Sequence, residues 1–333
     1  MPTQSPTPSA TQSPSATPAS VPCGEGKAAI DKVLLACGDV AIAQTAKLYP
    51  KMIYHFDPKV PQVVRDYVEK VGETYLPLYS GFFDKITEQA QIHVVLSLTP
   101  KWCGKALTET DDGTEEFLRE NYCNQDGGAN GGHGTMRFAE YGSIILRPHP
   151  TEIQGILAGR TDSDMLTEIF VAELGHASRD VGADALSGER GIAKWIPAWL
   201  AYVPNQFSWY YSGKRESQQV DDFFLATWEN RELVWRPTVT DKRFLPWNLG
   251  GELGEMGSPS LYNVAYLAAR YLVPKHGLEA IERDLMGTLV SSNGNYDKAA
   301  TAIGYASWSD LESAVDASML AFYQEFNIKV PNK

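Results

Sequence analysis

The chain of 333 residues lacks the patterns that mark several common protein classes. It has no apolar run of membrane length, which excludes a membrane-spanning helix within this sequence. It has no internal repeat, which argues against a solenoid or a propeller. It has no G-x-S-x-G, the nucleophile turn of many serine hydrolases, and its cysteines show no C-x-x-C spacing, so a four-cysteine zinc site is not expected.

Basic residues are also scarce. The chain has 29 Lys and Arg residues against 41 Asp and Glu residues, which gives a formal net charge of −12. Such a charge argues against a general nucleic-acid partner and against adhesion to anionic membranes through a basic patch. We interpret the acidic surface as serving solubility.

The first 22 residues are almost wholly Ser, Thr, Pro, Ala and Gln. This composition cannot bury enough apolar surface to offset chain entropy, so residues 1–22 are predicted to be a disordered stalk. Stalks of this kind usually follow a signal peptide or a membrane anchor, and no apolar run precedes this one. We therefore expect an exported, extracellular or cell-surface protein that meets the membrane only through a signal or anchor missing from this chain.

The four cysteines, Cys23, Cys37, Cys103 and Cys123, all lie in the first 123 residues. An even number of cysteines beside an export-type stalk predicts two disulfides, for which three pairings are possible. We favour Cys23 with Cys37 and Cys103 with Cys123, because the members of each pair are close in sequence.

The hydrophobic pattern predicts strands in the first half of the chain and mainly helices in the second half. Strands are predicted at residues 51–56, 91–98 and 141–147, and apolar residues at helical spacing predict one helix over residues 61–84. The last helix is predicted to start at the capping-box pattern of residues 309–312. Its inward face is predicted to carry Leu311, Val315, Met319 and Phe322.

Residues 167–177 form the most informative segment, because they match the active-site helix of a zinc metallopeptidase except at one position. In an H-E-x-x-H helix, two histidines one turn apart bind zinc and the glutamate acts as general base on the metal-bound water. Glu173 and His176 occupy the second and fifth places, whereas Ala172 stands where the first histidine would be. The helix is predicted to start near Ser163 or Asp164.

A second segment supports a family resemblance. Residues 197–203 read P-A-W-L-A-Y-V, which is similar to the P-x-W-L-x-E-G segment of gluzincin-type zinc peptidases of the peptidase MA-like family. The resemblance implies an α+β zincin-like fold with a thermolysin-like core. It predicts an α/β lobe with a mixed sheet over residues 23–180, followed by a mainly helical lobe over residues 181–333.

The resemblance also implies that the metal site is degenerate. The family's third zinc ligand is the glutamate of this segment, and Tyr202 stands in its place, with Val203 in place of the glycine. Catalytic zinc normally has three protein ligands, and only His176 is retained beside the base position Glu173. The resemblance therefore predicts a pseudopeptidase without a cofactor.

Two other interpretations of the pair remain open. Substitute ligands for an active zinc peptidase, with Glu173 as base, are available in principle at His133, His149, Asp180, Asp184 and Glu189. Alternatively, Glu173 and His176 face a cleft or a buried polar network, where each is hydrogen-bonded and does no chemistry. We favour the latter over metal catalysis, since every part of a metal site must be present before it can act.

Several aromatic residues are candidates for a binding cleft. Rings can stack on ligands, and a strand at a sheet edge can pair with an extended peptide. Core packing is the favoured role for Trp199, and a glycine-rich loop over the cleft is predicted at residues 249–257. We expect a cell-surface protein that binds a peptide or protein in the remnant cleft, or else a structural module whose cleft is vestigial. The cleft candidates are Tyr141, Trp199, Trp209, Tyr210 and Tyr211.

Overall fold

The computed structural model describes residues 48–109, 113–123, 141–159, 164–187, 195–211 and 258–326. Several predicted features lie outside these ranges: the stalk, the pair Cys23 and Cys37, His133, Glu189 and the loop at residues 249–257. None of the helices in the described part of the chain combines the length and the apolar character that crossing a membrane requires.

The sheet has three described strands, β1 (Lys51–Phe56), β2 (Gln91–Leu96) and β3 (Tyr141–Leu146), in the order β1-β2-β3. The predicted strands are confirmed to within two residues. All three strands are parallel, so the expected mixed sheet is wrong for this part of the chain. Two neighbouring parallel strands need a crossover connection that leads back to the starting end of the sheet. The helical segments at residues 62–83 and 100–123 lie in these crossover connections.

Helices make up most of the remaining described structure, and the chain is mixed α/β with a predominance of helix. Their bounds are α1 Gln62–Tyr75, α2 Pro100–Leu107, α3 Glu115–Leu118, α4 Pro150–Leu157, α5 Asp164–Ser187, α6 Ala198–Ala201, α7 Val203–Tyr211, α8 Ser258–His276, α9 Leu278–Ala280, α10 Gly287–Ser291, α11 Tyr296–Ala302 and α12 Trp308–Glu325. A 3-10 helix spans Leu76–Phe83, and π-helical turns span Arg119–Cys123 and Ile281–Met286.

Two predicted helix boundaries need correction. The helix predicted over residues 61–84 is α-helical only as far as Tyr75 and continues as the 3-10 helix, because Pro77 has no N–H to donate to the preceding turn. The last helix starts at Trp308, one residue before the predicted capping box. Its N-cap is Ser307, whose side chain accepts a hydrogen bond from the Asp310 N–H.

The inward face predicted for α12 is confirmed. Leu311, Val315, Met319 and Phe322 are all buried, at the four-residue and three-residue spacing of one helix face. They belong to the main hydrophobic core, which also contains residues of the sheet and of α5. The core therefore joins residues from both of the lobes that the sequence predicted, although their separation at residue 180 stays a prediction.

The predicted disulfide between Cys103 and Cys123 is present, with the two Cα atoms 6.0 Å apart. Both cysteines are fully buried in a second, smaller hydrophobic cluster that includes Val95 and Ile145. Their neighbours Val94 and Ile144 belong to the main core. The alternation of side chains along β2 and β3 thus places one apolar cluster on each face of the sheet.

Helix α5 lies at the centre of the fold. Over its 24 residues it packs against α1, α7, the 3-10 helix, α10 and the strands β2 and β3. The approach to the 3-10 helix is so close that a Cβ at Gly182 would collide with the backbone oxygen of Phe82 and lie 2.9 Å from its Cβ. Position 182 therefore requires glycine if α5 is to keep this packing.

We predict that Gly182→Ala destabilises the protein by roughly 1–3 kcal/mol, because backbone atoms must shift to admit the methyl group. Gly287→Ala is the matched control, since a Cβ there would meet its nearest atoms at 3.5 and 3.8 Å, which is ordinary contact. Alanine favours helix over glycine by up to about 1 kcal/mol, so the control should be neutral or stabilising. Urea unfolding of both variants measures the difference, and equal effects would contradict the packing described.

Candidate functional site

The site predicted from the sequence lies on the middle of α5, where the helix is otherwise enclosed. From Glu168 to Asp184, only Glu173 and His176 are partly exposed, and every other side chain is buried. Residues three apart share one face of a helix. The two side chains that the sequence singled out therefore lie on the same, partly exposed face of α5.

Tyr202 lies beside His176. Its ring meets the imidazole edge-to-face, with centroids 4.9 Å apart and ring planes at 79°. Tyr202 is at the junction between α6 and α7, and it is partly exposed. The structure thus brings together positions 176 and 202, two of the three that the resemblance matches to zinc ligands, with an aromatic ring at the second.

Position 172 has a different environment. Ala172 is only 3% exposed, and its carbonyl oxygen accepts a hydrogen bond of 2.5 Å from the side-chain amide of Asn205 on α7. The place that a first histidine would occupy is therefore packed against α7. Glu173 and His176, by contrast, have access to solvent.

Tyr79, from the 3-10 helix, holds the same stretch of α5 from another side. Its hydroxyl donates a hydrogen bond of 2.5 Å to the Val171 carbonyl oxygen, and burial raises the pKa of this phenol. Its ring also leaves no space at Gly175, where a Cβ would lie 2.7 Å from the Tyr79 Cε1 atom. The backbone beneath Glu173 and His176 is thus fixed by packing and by hydrogen bonds.

A buried ion pair lies one turn beyond His176. The Arg179 guanidinium donates from Nε and Nη2 to the Asp180 Oδ1 atom at 3.1 and 2.9 Å, and from Nη1 to the Ala201 carbonyl oxygen at 2.9 Å. Burial raises the pKa of Asp180 in spite of its pairing with Arg179. Arg179 and Asp180 therefore form their hydrogen bonds with partners inside the protein.

The His176 imidazole is neutral at pH 7. Only part of the residue reaches solvent, and the burial of the rest, followed by the positive charge of Arg179, holds the pKa of His176 well below the ordinary 6.5. A neutral imidazole can donate one hydrogen bond and accept another. It can also bind a metal ion, provided that further ligands converge on the same point.

The substitute ligands predicted from the sequence have other contacts where they are described. His149 is exposed and caps α4, where its Nδ1 accepts a hydrogen bond from the Thr151 N–H at 3.3 Å. Asp180 pairs with Arg179, and Asp184 is buried on α5. In the described ranges, no three His, Cys, Asp or Glu side chains are arranged to hold a metal ion.

The predicted cleft aromatics fall into two groups. Trp199 is 1% exposed and packs against Trp308 with ring centroids 6.2 Å apart, so it belongs to the core, the role that the sequence favoured. Trp209, Tyr210 and Tyr211 end α7, and Tyr141 begins β3. The side chains of these last four lie outside the described part.

The structure also reveals a histidine pair that the sequence did not predict. His55 Nε2 and His93 Nδ1 are hydrogen-bonded at 2.8 Å, and Glu109 lies 3.3 Å from the other ring nitrogen of His55. Burial, followed by the neighbouring His55, lowers the pKa of His93 to about 4. Only the pairing of β1 with β2 brings these rings together, so residue spacing gave no signal for the pair.

Comparisons of the chain with protein-family models, with curated proteins and with solved structures gave no match. The resemblance to gluzincin-type peptidases therefore stays a prediction from the motifs. The function has to be argued from the geometry around Glu173, His176 and Tyr202.

We predict that His176 makes folding less favourable in acid. The unfolded chain binds a proton at this ring near pH 6.5 while the folded protein does not, so stability is lost as the pH falls below about 6.5. His176→Gln should reduce this loss by at most about 1.4 kcal/mol per pH unit. Denaturant unfolding between pH 7.5 and 5 measures the difference, and an NMR titration of the ring at or above 6.5 would contradict it.

Proposed function

We propose that the protein is a pseudopeptidase that binds a peptide or protein segment and does not hydrolyse it. The observation that carries this proposal is the Tyr202 ring, which stands edge-on to His176 at the position where the resemblance expects a metal ligand. A phenol ring at this distance occupies space beside the imidazole and adds a stacking surface. The arrangement suits binding better than metal-assisted hydrolysis.

Strand β3 offers a backbone for an extended ligand. It stands at the end of the described sheet and pairs there with β2 alone. It also lies against α5, because a Cβ at Gly142 would be 3.1 Å from the Ala177 Cβ, one residue after His176. A peptide added along β3 would therefore run close to the Glu173 and His176 face, with main-chain hydrogen bonds supplying affinity.

In this proposal, the side chains of Glu173 and His176 form the polar contacts with the bound peptide. A carboxylate accepts hydrogen bonds, and the neutral imidazole can donate or accept, so the pair can meet both the N–H and the carbonyl groups of a peptide. Neither interaction requires a metal ion. Binding should therefore persist in a chelator.

We predict saturable binding of a subset of extended peptides from a displayed library that includes segments of cell-surface proteins. Glu173→Gln and His176→Ala should weaken this binding at least about tenfold, the scale of one lost hydrogen bond to a charged or buried group. Glu116→Gln is the matched control, because its carboxylate is exposed on α3 and carries the same charge. Fluorescence anisotropy in EDTA gives the affinities.

Two results of this experiment would contradict the peptide-binding proposal. If no peptide binds saturably, or if the Glu173 and His176 variants bind as the parent does, the site is not a peptide-binding site. The structural module with a vestigial cleft would then be the better description.

An active zinc peptidase with rearranged ligands is the second candidate, because Glu173 and His176 are both retained and partly exposed. Zinc content after chelation and zinc re-addition separates the two. We expect far less than one zinc ion per chain, since one imidazole does not hold the metal firmly. Near-equimolar, tightly held zinc would overturn the pseudopeptidase proposal.

The resemblance predicts how zinc binding can be restored. Ala172→His with Tyr202→Glu should create zinc affinity, because the match to the family's two segments gives these positions, together with His176, the three ligand types of a zinc site. Position 172 is buried, so the double variant needs a check of folding by circular dichroism. Tyr202→His alone is the milder variant and should raise zinc affinity above that of the parent; no gain in either folded variant would contradict the match of positions 172 and 202 to the family's ligands.

A further inference from the structure

A cavity of about 180 Å³ lies at the C-terminal half of α5, between this helix, the 3-10 helix and the segment around α10. Glu173, His176 and Tyr202 are not among the residues that line this cavity. Its main apolar wall residues are Phe82, Ala183, Leu186, Ile196, Met286 and Val290.

The charged groups deep in the wall are already engaged within the protein. Arg179 is bound to Asp180 and to the Ala201 carbonyl oxygen. Glu282 is fully buried, and its Oε2 accepts a hydrogen bond of 3.1 Å from the Gly81 N–H. The surface left to a ligand inside the cavity is therefore mainly apolar.

The rim carries charges of both signs, so it does not select a net charge. Asp84 and Lys85 are exposed there, and Arg283 is hydrogen-bonded to Asp284 and to Glu279. Selection must then come from the shape and apolar character of the interior. Small-molecule sites commonly combine an apolar interior with a few polar groups in this way.

Among the glycines of the wall, Gly287 leaves room beside it, because a Cβ there would meet its nearest atoms only at 3.5 and 3.8 Å. Gly182 also lines the cavity, but its missing side chain serves the close contact with Phe82. The wall also includes the π-helical turn Ile281–Met286, a departure from α-helix that is frequent at functional sites. An apolar ligand here would take its own surface and that of the apolar wall out of water, which favours binding.

We propose that this cavity binds a compact apolar molecule, an aromatic ring system of about ten non-hydrogen atoms, with any polar group directed to the rim. The size follows from the volume, since an apolar cavity of about 150 Å³ accommodates benzene. The site is independent of the proposed peptide-binding face, and either can fail without the other.

The test uses indole as the probe with the full chain. Titration followed by NMR and by calorimetry should show saturable one-to-one binding with a dissociation constant of about 0.1 to 1 mM, as expected for so small a ligand. Shifts should concentrate on the resonances of Phe82, Ala183 and Met286. Absence of saturation up to the solubility limit of indole would overturn the proposal.

Substitutions at position 287 supply the matched comparison. Gly287→Leu should fill the cavity and weaken indole binding at least tenfold, whereas Gly287→Ala should bind within about threefold of the parent, because one methyl group removes little of the volume. Equal binding by the leucine and alanine variants would count against this location.

Met286→Ala provides a result that does not depend on the leucine variant folding. Removing this buried side chain enlarges the cavity. The variant should gain affinity for the larger 1-naphthol relative to indole by about fivefold or more. An unchanged preference between the two probes would contradict the proposed site.

Discussion

The burial of α5 on almost every side is the constraint on which the rest of the structure depends. A helix that is enclosed in this way must be approached closely by its neighbours, and small residues make the approach possible. The 3-10 helix contacts α5 at Gly175 and Gly182, and β3 contacts it near Ala177. Strands β2 and β3, the 3-10 helix and helices α1, α7 and α10 all pack around this one element.

Enclosure also restricts where chemistry can occur on α5. Between Glu168 and Asp184, the only side chains with access to solvent are Glu173 and His176. Because Tyr79 and Asn205 hold the adjacent carbonyl groups, this part of the backbone is well fixed. Such rigidity would preorganise the side chains of Glu173 and His176 for the ligand proposed above.

Burial governs the electrostatics of the region as well. Arg179 and Asp180 enter the interior as a pair, and the carbonyl oxygen of Ala201 completes the contacts of the guanidinium. The same low-dielectric surroundings keep His176 neutral. The carboxylate of Glu173 and the neutral imidazole of His176 on the middle of the helix, and the apolar cavity at its C-terminal half, are consistent with the two different ligands proposed.

The sequence by itself predicted the elements whose signal is local. The three strands, helix α5, the inward face of α12 and the Cys103–Cys123 disulfide all follow from apolar periodicity or short spacing. It also identified Glu173, His176 and Tyr202 as residues of interest, through motifs only a few residues long. Local sequence patterns did not predict the change from α-helix to 3-10 helix near Pro77. They also selected Ser309 as the N-cap of the last helix, whereas the N-cap is Ser307.

Tertiary structure alone decided the parallel direction of the strands, the pairing of His55 with His93, the contact of Tyr202 with His176 and the cavity beside Gly182. Each depends on which residues meet across long stretches of chain. Hydrophobic periodicity tells which face of an element is buried, but it does not tell which other element covers that face. The physical reason is that packing is settled by shape and volume among all the elements together, and these are properties of the folded core.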